Sequence, residues 1–186
     1  MTKINLMKFL KYILVLLMSV LITNCGDESS APSFVLSTAN IAGSYIINSL
    51  SIDTKVTSVT DVSGVSVPFT IATSTSTGDT FQVDFVLNVN GTYTASGQYR
   101  IVSVVTPTVG SQLTNSEIIS FTDSGSYELN TTNNTLTIIS STGDFIEGTM
   151  NIVTFNETTV SLSQETEVEV DAITTEIDAR ISFIRK

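Results

Sequence analysis

Between residues 81 and 101 the chain alternates apolar and polar side chains, and this period of two constrains the fold more than any other feature. Phe81, Val83, Phe85, Leu87 and Val89 fall on one side of an extended backbone, with Gln82, Asp84 and Asn88 on the other. Successive side chains of a strand point to opposite faces, so this pattern buries one face and wets the other. Asn90-Gly91 follows and predicts a tight hairpin with a type I′ turn, which needs positive φ at both central residues. The returning strand, about 92–105, carries Tyr93, Ala95, Gly97, Tyr99 and Ile101 on one face. Thr92, Thr94, Ser96, Gln98 and Arg100 occupy the other.

The same reading extends through the body, where no stretch after residue 34 keeps a helical period. A strand near 117–130 places Ile119, Phe121, Tyr127 and Leu129 on one face, with Gly125 on that side as a bulge or bend. Leu136 and Ile138 mark a short strand, and 145–155 another. Val160, Leu162, Val168 and Val170 belong to 158–171, and Ile177, Ala179, Ile181 and Phe183 to 177–185. Upstream, Ile41–Ile52 reads as a first strand entered through Gly43. Residues 55–73 read as a hairpin about Ser63-Gly64, with Pro68 at an edge or bulge. Eight to ten strands in sequential hairpins predict an all-β fold, an antiparallel up-and-down barrel whose closure removes exposed edges. An immunoglobulin-type sandwich usually shows a buried Trp and often a disulfide. This chain has no Trp and one Cys.

The first 24 residues read differently. Met1–Lys11 holds three lysines and no acid, and Tyr12–Ile22 is an apolar run of eleven residues. That length suits the core of a secretory signal and falls short of the roughly 20 residues a membrane-spanning helix needs. Ile22-Thr-Asn-Cys25 then resembles the lipobox of bacterial lipoproteins. The resemblance implies cleavage before Cys25, fatty acylation of Cys25, and anchoring of the mature chain to a membrane. Two or three acyl chains give the stable anchoring that one chain does not. Residues 25–38 read as the lipidated cysteine and a flexible, Ser- and Pro-bearing tether. Asp27 and Glu28 resemble a signal that sends some Gram-negative lipoproteins to the cell surface. The implied location is the cell envelope, as an outer-membrane lipoprotein.

The remaining segment, 39–186, resembles the lipocalin-like domains of bacterial lipoproteins. The pieces that carry the resemblance are Ile41-Ala-Gly-Ser-Tyr45, Asn90-Gly-Thr-Tyr93, Gly125-Ser-Tyr127-Glu-Leu129 with Asn134-Thr-Leu136-Thr-Ile138, and Ile181-Ser-Phe183-Ile-Arg185. It implies a barrel that binds a small apolar or amphipathic ligand. The alternative is a surface structural or interaction protein whose barrel is filled by its own side chains.

For a ligand, the candidate pocket residues are Phe81, Phe85, Tyr93, Tyr99, Phe121, Tyr127 and Phe183, with Met150 and Leu162 also inward. The small residues Ala95 and Gly97 leave room between Tyr93 and Tyr99. Against this stands the limited space inside eight strands, which side chains alone can fill. Glu165, Glu167, Glu169 and Asp171 form an acidic column on one strand face. It reads either as a cation site of hard oxygen ligands or as a wet outer face that discourages edge pairing.

Charge and composition exclude several functions. Net charge is −10, from 8 basic and 18 acidic residues. The three signal lysines aside, 5 basic residues face 18 acidic ones, a net of −13 for the mature part. Such a chain lacks the clustered Lys and Arg that nucleic-acid phosphates require. It has no His, hence neither the commonest metal ligand nor the side chain best suited to proton transfer near neutrality. No motif calls for a cofactor or a catalytic metal. Asp79 with Asp84, or Asp144 with Glu147, are the only carboxylate pairs worth weighing as acid–base partners, and each falls on a turn or an outer face. The chain reads as a non-enzyme, and its protein partners are not named by its residues.

Overall fold

The computed structural model describes residues 34–142 and 145–186, and Phe34–Lys186 fold as one unit. The signal, Cys25 and the tether up to residue 33 lie outside the described residues, as does Asp144. A helical turn, α1 (Thr38–Ile41), leads into eight strands: β1 (Gly43–Val62), β2 (Val65–Leu87), β3 (Thr92–Pro107), β4 (Leu113–Asn130), β5 (Thr135–Ser140), β6 (Gly148–Phe155), β7 (Thr159–Val170) and β8 (Ile173–Arg185). Each pairs antiparallel with the next, and β1 pairs with β8, so the sheet closes into a barrel.

The N-terminal part differs from its reading as several short pieces. Residues 41–52, 55–73 and 81–89 merge into β1 and β2, which pair from Gly43↔Leu87 to Val62↔Val65. The polar middle of β1 does not end the strand because both its edges are paired: Asp53 faces Thr75 of β2 and Asp178 of β8. Bulges absorb the irregularities, an extra residue falling at Asn48 in β1 and at Ile71 in β2, and another in the Thr80–Phe81 stretch of β2. Ile41 is no strand residue. It ends α1, fully buried, with the Ser37 hydroxyl accepting from the Asn40 N–H at the turn's start. The folded unit therefore begins at Phe34, inside the expected tether.

One end of the barrel is filled. Tyr45, Ile47, Val83, Phe85, Leu87, Tyr93, Ala95, Tyr127, Leu136, Ile138, Met150, Val160, Leu162, Ile181 and Phe183 form a single buried cluster. Phe183 stacks on Phe85 at 4.8 Å and meets Tyr45 edge-on at 6.4 Å. Burying each large side chain stabilises the fold by roughly 1.5–3 kcal/mol before ordering costs. α1 covers this closed end. Tyr45 donates to the Ile41 carbonyl at 2.6 Å, and Arg185 donates to the Ala42 carbonyl at 2.8 Å and to the Asn40 carbonyl.

Asparagines shape the hairpins of the closed end. Asn90 Oδ1 accepts from the Thr92 N–H, Asn130 Oδ1 from the Thr132 and Asn133 N–H groups, and Asn156 Oδ1 from those of Thr158 and Thr159. Such side-chain bonds imitate a backbone turn. The Asn90-Gly91 turn is not type I′. Gly91 alone takes positive φ, its N–H donates to the Asn88 carbonyl, and the Asn88 N–H donates to that of Thr92. This is a type I turn followed by a left-handed glycine. Val89 consequently leaves the inward face and lies exposed in the turn.

The other end is an open mouth with uneven walls. β5 and β6 stop early, at 6 and 8 residues, while β1 and β2 run to 20 and 23. The β1–β2 and β7–β8 hairpins therefore stand above the filled core.

Candidate ligand site at the barrel mouth

Strand parity decides what faces the interior. On β4, Phe121, Tyr127 and Leu129 point inward, so Asp123 does too. It is the one buried charged side chain among the described residues, 1% exposed. Burying a carboxylate is costly without hydrogen-bond donors. Asp123 receives the Ser140 hydroxyl at 2.7 Å and the Phe145 N–H at 3.3 Å. Both donors come from the chain where β5 gives way to the 141–147 loop. The Ser141 N–H donates to the Ser124 carbonyl at 2.8 Å, and the Ser124 and Thr142 hydroxyls bond at 3.0 Å. Asp123 thus ties the β5–β6 loop to the rim.

The tied loop carries Phe145, which stacks on Phe121 at 4.0 Å and 13°. Tyr99 meets both rings edge-on, at 6.1 Å and 6.2 Å, and Phe81 lies 6.0 Å from Tyr99. In front of this aromatic wall is a recess of about 220 Å³. Leu50 and Ile52 of β1, Tyr99, Phe145, Ile146, Met150 and Leu162 give it an apolar lining, and Ala179 and Ile181 of β8 complete that side. Ser163, Gln164 and Arg180 also border it, and of these Gln164 has the inward parity of Leu162. The recess adjoins the core directly, since Leu50 pairs with buried Ile181.

Tyrosine ionisation records the dryness of this region. The Tyr99 hydroxyl is pushed above its ordinary 10.0 chiefly by burial, with the Glu117 charge adding. Tyr93 is also raised by burial. The Ser140 hydroxyl opposes that shift and the nearby Asp123 carboxylate adds to it. Both tyrosines are neutral near neutral pH.

The residues expected to line a pocket divide in two. Phe85, Tyr93, Tyr127 and Phe183 are consumed by the filled core, where Tyr127 donates to the Asn88 carbonyl at 2.6 Å. Phe81 and Phe121 back the aromatic wall, and Tyr99 alone of the seven lines the recess. Sequence reasoning missed Leu50, Ile52, Phe145 and Asp123. Asp123 had a signal, since it shares parity with Phe121 and Tyr127. Phe145 is misplaced by the reading of 145–155 as a strand: β6 begins at Gly148, and Phe145 lies in the loop before it, where alternation carries no information.

The acidic column is the wet exterior of β7. Glu165, Glu167 and Glu169 are exposed and share the face opposite inward Leu162. Asp171 does not belong to the column. With Ala172 it forms the β7–β8 turn, at φ 50° and 62°. A trough of about 610 Å³ borders these strands near Asp53, Lys55, Glu165 and Asp178. Among the described residues, no group of three acidic or thiol side chains is placed to hold a metal ion. Asp79 and Asp84 do not meet. Asp79 pairs with Arg100, which holds its carboxyl at about 2, and Asp84 pairs with Lys186.

At its filled end this barrel has faces the reverse of those of a membrane-spanning one. Such barrels carry an outward apolar band about 25 Å tall around a polar interior. Here Thr94, Ser96, Gln98, Ser120, Thr122 and Ser161 point outward and the core cluster points inward, while Ile46, Ile118, Ile139 and Ile184 stand among the polar outer residues.

No known family model and no curated protein matches the sequence. Among solved structures, the chain is similar to Ail, the attachment invasion locus protein of Yersinia pestis. Identity is 9% and the TM-score 0.21, over 78% of this chain and 100% of that one. The structure of Ail with the heparin analogue sucrose octasulfate matches to the same degree. Likeness of that degree says nothing about what this chain binds.

Proposed function

We propose that this chain is a lipid-anchored protein of the bacterial cell envelope, at the outer membrane, that binds an apolar group of a small ligand at its open mouth. The carrying observation is the recess of about 220 Å³ directly above the filled core. Pockets for whole drug-sized ligands run from roughly 300 to 1,000 Å³. The recess therefore takes one ring or a short acyl segment, with the remainder of the ligand in the mouth. The polar residues that border it favour a neutral amphipathic molecule. We read the site as a binding site without chemistry, since among the described residues no nucleophile–base pair lines it. The filled core favours the second reading, a scaffold for protein partners without any small ligand.

Anchoring rests on the sequence around Cys25. From Cys25 to Phe34 a fully extended chain reaches at most about 30 Å. Phe34 belongs to the closed end, stacked on Phe155 at 5.0 Å with Arg185 at 5.8 Å. The chain enters the barrel opposite its mouth, which leaves the mouth free.

The neutral fluorophore N-phenyl-1-naphthylamine tests the recess, using the mature chain. The wild type is expected to enhance its emission saturably. Ala179→Leu, which fills the recess from β8, is expected to weaken binding at least tenfold while leaving the circular dichroism unchanged. Equal binding by a folded Ala179→Leu protein would remove the recess as the site. Separately, Cys25→Ala is expected to shift the protein from the membrane to the soluble fraction, and a variant that stays on the membrane would refute the anchor.

A further inference from the structure

Above the recess, the inward faces of the tall hairpins turn polar in their middle, at Thr54, Ser74 and Thr166, and apolar again toward the tips. The bulge opposite Val56–Thr57 lies in β2, at Ile71, and β1 itself has no extra residue from Leu50 to Val62, so Ser58, Thr60 and Val62 continue the inward parity of Leu50 and Ile52. Their partners on β2, Phe69, Val67 and Val65, face the same way, as do Val170 and Ile173 at the tip of β7–β8. Val170 pairs with Ile173, Ile173 with Ser58, and Ser58 with Phe69. These four strands form one row, about 14 Å wide at the usual strand spacing. Val62, Val65, Val67, Phe69, Val170 and Ile173 are all between 40% and 62% exposed. Apolar side chains contiguous on one face of a charged protein mark an interaction surface.

The charge around this face selects its occupant. At the two hairpin tips stand Asp61 and Glu169, on the outer face beside the apolar row, and Asp171 in the β7–β8 turn, while Glu117 points inward on β4 across the mouth. The bases of the upper strands are Lys55, Arg100 and Arg180, and each is held in an ion pair, with Glu176, Asp79 and Asp178. A second copy of this acidic chain, a fatty acid or an anionic bilayer would meet like charge. We propose that the inward face of the β1–β2 and β7–β8 hairpins docks a cationic amphipathic segment of a protein partner, with apolar side chains on Phe69 and Val67 and basic ones toward the acidic tips. This proposal does not depend on the recess.

The probes are three nine-residue peptides of alternating sequence, Leu/Lys, Ser/Lys and Leu/Glu, titrated by fluorescence anisotropy against the mature chain. The Leu/Lys peptide is expected to bind at least tenfold more tightly than either control, and more weakly as salt rises. Val67→Ser with Phe69→Ser is expected to abolish that preference. Should the double variant fold poorly, amide shift mapping on the wild type replaces it, with changes expected along 58–70 and 168–174. Equal binding of Ser/Lys and Leu/Lys, or shifts confined to the outer face of β7, would overturn the proposal in favour of unspecific charge attraction. A dimer in sedimentation velocity that Phe69→Ser dissolves would assign the face to a second copy instead.

Discussion

Phe183→Ala probes the filled end most sharply. Phe183 is 1% exposed, stacks on Phe85 at 4.8 Å and packs edge-on to Tyr45 at 6.4 Å. The surrounding strands are paired on both sides, so the backbone has little freedom to collapse into the void. Deleting a buried Phe in such a setting costs about 3–5 kcal/mol. For a domain of this size each kcal/mol lowers the melting temperature by about 2–4 °C, so a drop of about 10 °C is expected by differential scanning calorimetry. The vacated space is lined by Phe85, Tyr45, Leu87, Val160 and Leu162, and apolar cavities of this kind stay dry and take up benzene. Benzene is therefore expected to raise the variant's melting temperature by several degrees and to leave that of the wild type nearly unchanged. A loss under about 1 kcal/mol, or no benzene rescue, would mean that this end is not packed as described.

Other expectations follow from the same packing. Asp123→Ala removes the carboxylate that accepts from the Ser140 hydroxyl and the Phe145 N–H, and is expected to cost about 2–4 kcal/mol in denaturant unfolding. Hydrogen exchange should quicken across 145–147, and an unchanged loop would deny Asp123 its tying role. Gly97→Ala is expected to prevent folding or to shift β2, because its Cβ would sit 2.0 Å from the Gln82 carbonyl oxygen at φ 141°; soluble, native-like protein would contradict that close approach. Tyr45, Tyr93, Tyr99 and Tyr127 all have hydroxyls raised above 10.0, with burial the leading cause in each. Their folded values exceed the unfolded one, so this contribution to stability is whole below pH 10 and is lost as pH climbs through the raised values. Absorbance at 295 nm should show tyrosine ionisation in the mature chain delayed beyond pH 10 and coincident with unfolding.

What the sequence disclosed is what its local pattern encodes. Inward Phe85, Tyr93, Phe121, Tyr127, Leu162 and Phe183 follow from alternation alone, because each lies in a strand that keeps parity with its neighbours. The length of β1 does not follow, because Asp53, Thr54 and Lys55 look like a break. Only pairing with β2 and β8, distant in sequence, keeps them in the ladder. The Asn90-Gly91 turn was legible as a turn but not in type, since the type follows from where the strands end, and the ladder closes at Asn88 and Thr92 rather than at Val89 and Thr92. The recess was the least legible feature. Its lining joins β1, β3, a loop, β6, β7 and β8, and Phe145 reaches it only because Asp123 fastens the loop.

The most direct measurement of a filled end beneath an open mouth is methyl NMR of the mature chain under xenon pressure. Xenon enters small apolar space without regard to charge. Leu50, Ile52 and Met150 at the recess should shift saturably while Leu87, Leu136 and Val160 of the closed end stay still. Shifts at Leu87 and Leu136, or none at Leu50 and Ile52, would contradict the account.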